Sequence, residues 1–327
     1  MGPSNKGEKL VEDILFKNTQ HVFDEIRNMN VKGGSPFGRA AAWAFKLATE
    51  QNSYQSYDDL KVSFENIASI LIELKPTMAT IHNVNSLVLN FIQENQHVDV
   101  ASLAQKVTQL CEKIINYSFS SVERLAEFGA NLIYSKPDCT ILMHSYTSSL
   151  MSIFEKAKGK GSSFEVICTE SRPLRESRVA IKKLKDLGVP VRLIIDASVC
   201  EYLPKVDMVL VGADSITWHG DVANKIGTKM IAKLAASYQV PVYVASEILK
   251  IDKRTLHGYI VKLEKRDRSE VVDNTPFEHI PDLQVENQFF DLTPSSLIQA
   301  IICEEGLLPP SQVGQYWENI EKSLKEG

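Results

Sequence analysis

Several common features are missing from this chain, and each absence narrows what it can do. Its 327 residues carry 36 Lys and Arg against 41 Asp and Glu, a formal net charge of −5, with no dense basic patch. Direct reading of DNA or RNA is therefore set aside. The five cysteines, Cys111, Cys139, Cys168, Cys200 and Cys303, are odd in number and scattered. With no CxxC pair and no His at ligand spacing they predict neither a disulfide framework nor a metal site, but reduced structural thiols in a cytoplasmic protein. No apolar run approaches the length of a membrane span, and the opening "MGPSNKGEKLVEDILF" lacks the apolar core of a signal peptide. Met1-Gly2, followed by Pro3 and Ser4, reads as a disordered leader rather than a myristoylation start. Neither GxGxxG after the first strand nor GxxxxGK[ST] is present, so neither a dinucleotide nor a P-loop site is expected, and no cofactor is implied.

What is present is an ordinary globular composition, 44% hydrophobic and 24% charged, long enough for two domains with their own cores. From about Lys9 to Phe128 the apolar residues recur at helical spacing. "KLVEDILFKNTQHVFDEIRNM" places Leu10, Ile14, Val22 and Ile26 on one face, and two later segments repeat the texture. From Pro137 onward, short Val- and Ile-rich runs alternate with amphipathic segments: "TILMH", "SFEVICTE", "VPVRLIID", "VDMVLVGAD" and "VPVYVASE". Continuous apolar runs of this kind mark parallel strands covered on both faces. The sequence predicts an α/β protein, with a helical domain over 1–128 and a Rossmann-like, doubly wound, mostly parallel sheet over 129–327. Ligands of such sheets sit at the carboxyl ends of the strands, where Ser145, Glu170, Asp196 and Asp214 fall. Singly, each could be a helix cap, the more so Glu170 and Asp196; together they favour a pocket.

Three segments offer chemistry. In "VGADSITWHGDVANKIGTKM" a strand ends at Asp214 and a polar loop leads to "NKIGT" at the next helix start. Asn224, Lys225, Gly227 and Thr228 there suit a phosphate or a sugar hydroxyl. In "VKGGSPFGRAAA", Gly33 and Gly34 allow a backbone nest, while Lys32 and Arg39 bring charge to a helix start. In "LKPTMATIHNVN", Lys75 precedes a helix bearing His82 and Asn85.

These segments carry a resemblance. "VGADSITWHGDVANKIGT" is similar to the signature of the translation initiation factor 2B alpha, beta and delta subunit family, which includes ribose-1,5-bisphosphate isomerase and methylthioribose-1-phosphate isomerase. "KGGSPFGRAAA", "KPTMATIHNVN", "TESRP" and "FFDLTPSSLIQAIICEEGLLPP" resemble further family segments, so the likeness spans most of the chain. In the isomerases, the resemblance implies, a Cys after the first strand and an Asp after the fourth manage protons on C1, C2 and oxygen as an aldose phosphate becomes a ketose phosphate. The Asp is matched by Asp214, but the Cys position falls on Ser145. The isomerases' arginines in the glycine loop and the Arg-Pro-Thr segment stand here as Lys32 and Lys75, which lack the bidentate fork for phosphate.

The serine changes the expectation. A thiol ionises near pH ~8.5, whereas an unassisted serine hydroxyl is far too weak an acid to act as an alkoxide base. His144 is adjacent, but neighbours on a strand point to opposite faces. The resulting expectation is a protein that binds a sugar phosphate or nucleotide without turnover. Its contacts would be Lys32, Gly33, Gly34, Arg39, Lys75, Ser145, Asp214, Asn224 and Lys225. The alternative is an aldose-ketose phosphate isomerase using Asp214 and Ser145. A homo-oligomer, at least a dimer, and possible other initiation factor subunits are the partners the resemblance implies.

Overall fold

Asn18 sets the first helix: its Oδ1 accepts the His21 N–H at 2.8 Å, so the chain turns helical only after it. The computed structural model describes residues 14–31, 33–273 and 275–326; the Met1-Gly2 leader, Leu10 and Lys32 lie outside them. Helix α1 is Thr19–Arg27, and the stretch from Ile14 to Asn18, expected as part of it, is not helical. The cap explains the difference. Helices α2 (Gly34–Gln51), α3 (Tyr57–Leu74), α4 (Ala79–Glu94) and α5 (Val100–Tyr134) follow.

The chain forms two compact units, one reaching Ser118 and taking in the end from Glu318, the other Phe119–Trp317. In the first, the α2–α4 approach depends on Gly38, where a Cβ would stand 2.9 Å from Thr80 Cβ. Thr80 Oγ1 donates to the Gly34 carbonyl at 2.8 Å, and Phe45 packs on Phe64 with ring centroids 5.2 Å apart. This is the helical bundle that the periodicity predicts.

The second unit is built on a seven-stranded sheet. In chain order its strands are β1 (Cys139–His144), β2 (Phe164–Thr169), β3 (Val191–Ile194), β4 (Met208–Gly212), β7 (Val242–Ala245), β10 (Ala300–Cys303) and β11 (Gly306–Leu308). In space they run β11-β10-β7-β4-β1-β2-β3. All neighbours are parallel except β10 with β11. Helices α6 (Ser148–Gly159), α7 (Ser177–Asp186), α8 (Val199–Tyr202) and α9 (Thr228–Ser237) alternate with these strands. Ile141, Met143, Val166, Cys168, Met208 and Leu210 of the sheet share one buried core with Leu150, Ile153 and Phe154 of α6. The runs of β1, β2, β4 and β7 are therefore strands buried in an α/β core, as their composition predicts, whereas "VPVRLIID", expected to be covered on both faces, forms the edge strand β3 and leaves Leu193 and Ile195 exposed.

A second sheet was not anticipated. Strands β5 (Ser215–Thr217), β6 (Val222–Lys225), β8 (Ile251–Asp252) and β9 (Phe290–Thr293) lie in the order β8-β5-β6-β9. A short α10 (Ser269–Val272) precedes β9, and α11 (Trp317–Glu326) ends the described chain. No helix among the described residues is long and apolar enough to cross a membrane.

Candidate active site

Strand order fixes the place of the site. The winding reverses between β1 and β4, which lie side by side and send their following segments in opposite directions, opening a crevice at their carboxyl ends. Ser145 follows β1 and Asp214 follows β4 by two residues. The pairing of His144 with Val211 carries both ends to the same level.

Ser145 has φ of 65°, in the left-handed region that a side chain seldom occupies. Its N–H donates to Ser171 Oγ at 2.8 Å. Ser171, also left-handed at φ 60°, donates its own N–H to Asp196 Oδ1 at 2.8 Å, and Arg172 N–H reaches Asp196 Oδ2 at 2.9 Å. Asp196 thus pins the loop after β2. Strained backbone held from several sides is a common property of functional sites.

His144 cannot serve Ser145. Its Nε2 lies 2.9 Å from the Ile226 carbonyl and so carries the hydrogen. Nδ1 then accepts from Thr169 Oγ1 at 2.7 Å. Burial holds the imidazole below its usual pKa and keeps it neutral. Both ring nitrogens are committed to structure.

The serine's partner is a residue the sequence reading passed over. Ser145 Oγ donates to Glu176 Oε2 at 3.0 Å, and Lys225 Nζ donates to Glu176 Oε1 at the same distance. Lys225 is buried, with its ammonium 3.0 Å from the centroid of the Phe289 ring. Burial pulls its pKa down, and the Glu176 carboxylate works against that shift. Glu176 stands at the start of α7, three residues beyond "TESRP". Among so many charged residues in "PLRESR", no pattern singled it out.

Asp214 donates its N–H to the Ala223 carbonyl at 2.9 Å, starting the β5–β6 hairpin. Burial pushes its carboxyl up to about 6, against the opposing pull of Lys250 and Lys225. Lys250, itself buried, donates to the Ala213 carbonyl at 2.9 Å. Cys139 and Cys168 offer no substitute for Ser145. Cys139 sits at the far end of β1, roughly 20 Å away along an extended chain, and burial pushes Cys139 up to about 11 and Cys168 to about 12.

The expected phosphate seat at "NKIGT" is arranged differently. Asn224 and Lys225 lie on β6 rather than at a helix start. Asn224 Nδ2 donates to Thr228 Oγ1 at 3.0 Å, and Thr228 Oγ1 to the Lys225 carbonyl at 2.7 Å. The helix start belongs to Asp291: it accepts from Gly227 N–H at 2.8 Å and from Lys229 N–H at 3.1 Å. That carboxylate takes the place an incoming anion would use.

Gly33, Gly34, Arg39 and Lys75 belong to the first unit. Gly33, with φ of 91°, caps α2, and Gly34 is its first residue. Arg39, buried, donates to Ser118 Oγ at 3.0 Å. Lys75, buried, reaches Met29 Sδ at 2.8 Å and lies 5.4 Å from the centre of the Phe37 ring. Glu170 forms an ion pair with Arg175 at 2.6 Å. Among the described residues no cluster of His, Cys, Asp and Glu is arranged to hold a metal.

Known proteins share this architecture along its length. The chain is 34% identical over 315 residues to a ribose 1,5-bisphosphate isomerase of Methanocaldococcus jannaschii, covering 96% of this chain and 97% of that one. It is 31% identical to a methylthioribose-1-phosphate isomerase of Pelotomaculum thermopropionicum, over 96% of this chain and 88% of that one. The solved structure of the Pyrococcus horikoshii OT3 translation initiation factor eIF-2B superposes with a TM-score of 0.75 at 25% identity, covering 91% of this chain and 99% of the other. The isomerase relatives overturn the expectation of a pocket without turnover. That expectation rested on an unassisted serine, and Ser145 is hydrogen-bonded to a carboxylate. With residues 30–310 matching the initiation factor 2 subunit family, the chain belongs to that family.

Proposed function

We propose that the protein is an aldose-ketose phosphate isomerase acting on a pentose 1-phosphate, with ribose 1,5-bisphosphate the first substrate to test. The observation that carries this reading is that two groups stand just beyond the ends of the neighbouring strands β1 and β4: a carboxyl with a pKa of about 6 after β4, and a carboxylate-bound hydroxyl after β1. Isomerisation needs two proton transfers. One moves from C2 to C1 and one from O2 to the ring oxygen, as C1–O4 breaks and C2=O forms. A carboxylate that titrates near neutrality suits the carbon transfer, since it both takes and returns a proton at working pH. Asp214 has that role. Ser145 faces the oxygens, and Lys225 supplies positive charge where an enolate develops. Extensive identity to proteins named as isomerases supports the same reading.

The test is direct. Purified protein is incubated with ribose 1,5-bisphosphate and, separately, methylthioribose 1-phosphate, and ketose formation is followed. Turnover of one of them, lost in Asp214→Asn, is the expected result; a folded protein that converts neither would sink the proposal. The expected homodimer is checked on the same sample by light scattering.

A further inference from the structure

We propose that Glu176 completes the proton relay that lets a serine stand at the position after β1, passing protons to and from the substrate oxygens through Ser145 Oγ. This rests on the isomerase reading above.

The geometry is that of a hydroxyl bound to its base. Ser145 Oγ donates to Glu176 Oε2 at 3.0 Å, while Oε1 is fixed at 3.0 Å by Lys225 Nζ. Each oxygen of the carboxylate therefore has one partner, and its orientation is set from both sides. The serine is held equally firmly. Its N–H is anchored on Ser171 Oγ, which lies 3.0 Å from Thr169 Oγ1 and 2.9 Å from Ser177 Oγ. With Oγ–H directed at Glu176, the Oγ lone pairs are left for a donor arriving from the crevice. The substrate 2-hydroxyl is such a donor.

The transfers balance. In the first step Asp214 takes the C2 proton, the C2–H electrons form C1=C2, and C1–O4 breaks. The O2 proton passes to Oγ as the Oγ proton moves to Oε2, and the same path delivers a proton to O4. In the second step Asp214 returns its proton to C1, and the O2 lone pair closes C2=O. Ser145, Glu176 and Asp214 end as they began, and no alkoxide is released into the site. Glu176 acts only through Ser145 and is a positioning and relay residue. A thiol in the same place ionises by itself and has no need of it.

The test is a double-mutant cycle read by ketose formation. Glu176→Gln is expected to lower kcat at least ~100-fold, the usual scale for losing one proton-transfer partner. Glu176→Asp, which keeps the charge, is expected to recover a measurable part of that loss. In a Ser145→Cys background the same Glu176→Gln change is expected to cost no more than about threefold, since a thiolate forms unaided. Activity of that double variant also shows that Glu176→Gln folds. Equal losses in the two backgrounds would assign Glu176 to holding Lys225 and overturn the relay. Wild-type kcat retained in Glu176→Gln, or an inactive Ser145→Cys protein, overturns it as well. In each case wild-type turnover leaves the isomerase reading standing. Absence of wild-type turnover removes both.

Discussion

Gly212 and Thr147 touch across the β1–β4 crevice. A Cβ at Gly212 would stand 2.8 Å from Thr147 Cγ2 and 2.9 Å from its Cβ, closer than real side chains approach. The missing side chain sets the spacing between the strand end that leads to Asp214 and the loop that carries Ser145. Gly212→Ala is expected to cost about 1–3 kcal/mol of stability by overpacking, measured by denaturant unfolding. Its kcat should fall further than that loss explains, because the separation of the two reacting groups changes. Unaltered kcat with lowered stability would show that the spacing matters only to packing.

Asp214 should control the acidic limb of activity. With its carboxyl at about 6, kcat/KM is expected to fall about tenfold per pH unit below that point, as the base form is lost. Stability runs the other way. Because the folded pKa lies above the unfolded one, this group favours folding below about pH 4, and that contribution disappears as pH rises through about 6. The pH–rate profile of the unmodified protein checks the limb, and Asp214→Asn, which cannot ionise, should raise the melting temperature at pH 8 with little change at pH 4. Thermal melts at the two pH values decide the point.

Lys225 ties the relay to the fold. Its ammonium is buried, paired with Glu176 and set against Phe289. Lys225→Met keeps the bulk but removes the positive charge paired with the carboxylate, leaving it only the Ser145 hydroxyl. Because Glu176 retains contact with solvent, the expected loss is about 2–3 kcal/mol, below the range for a fully buried pair. Urea unfolding at pH 7 measures it. A loss under about 0.5 kcal/mol would place the pair among surface ion pairs of little weight.

Asp291 is a capping residue supplied from far along the chain. Asp291→Ala removes the acceptor for Gly227 and Lys229 N–H and is expected to cost about 1–2 kcal/mol, the usual scale for losing a helix cap. Asp291→Asn should retain part of it. Denaturant midpoints of the two variants against wild type check the order.

Much of this was legible in the residues, and the remainder fails for physical reasons. Strands β1, β2, β4 and β7 announce themselves because burial on both faces demands unbroken apolar runs. Their alternation with helices places Ser145 and Asp214 at one edge. Glu176 and Asp291 were not legible, since each acts across a gap in sequence that only folding closes. Ser145 meets a carboxylate 31 residues on, and Gly227 one 64 residues on. Strand β6 was missed because "VANK" is too short and polar to show alternation, and its partners, β5 and β9, lie in a sheet with no long apolar run.

The Asp291 carboxylate at the start of α9 also bears on how ligands enter. A helix terminus left open would draw in any passing sulfate or phosphate. By lodging its own anion there, the protein closes that berth in advance. A substrate of the proposed isomerase must then be recognised by its sugar as well as by its charge.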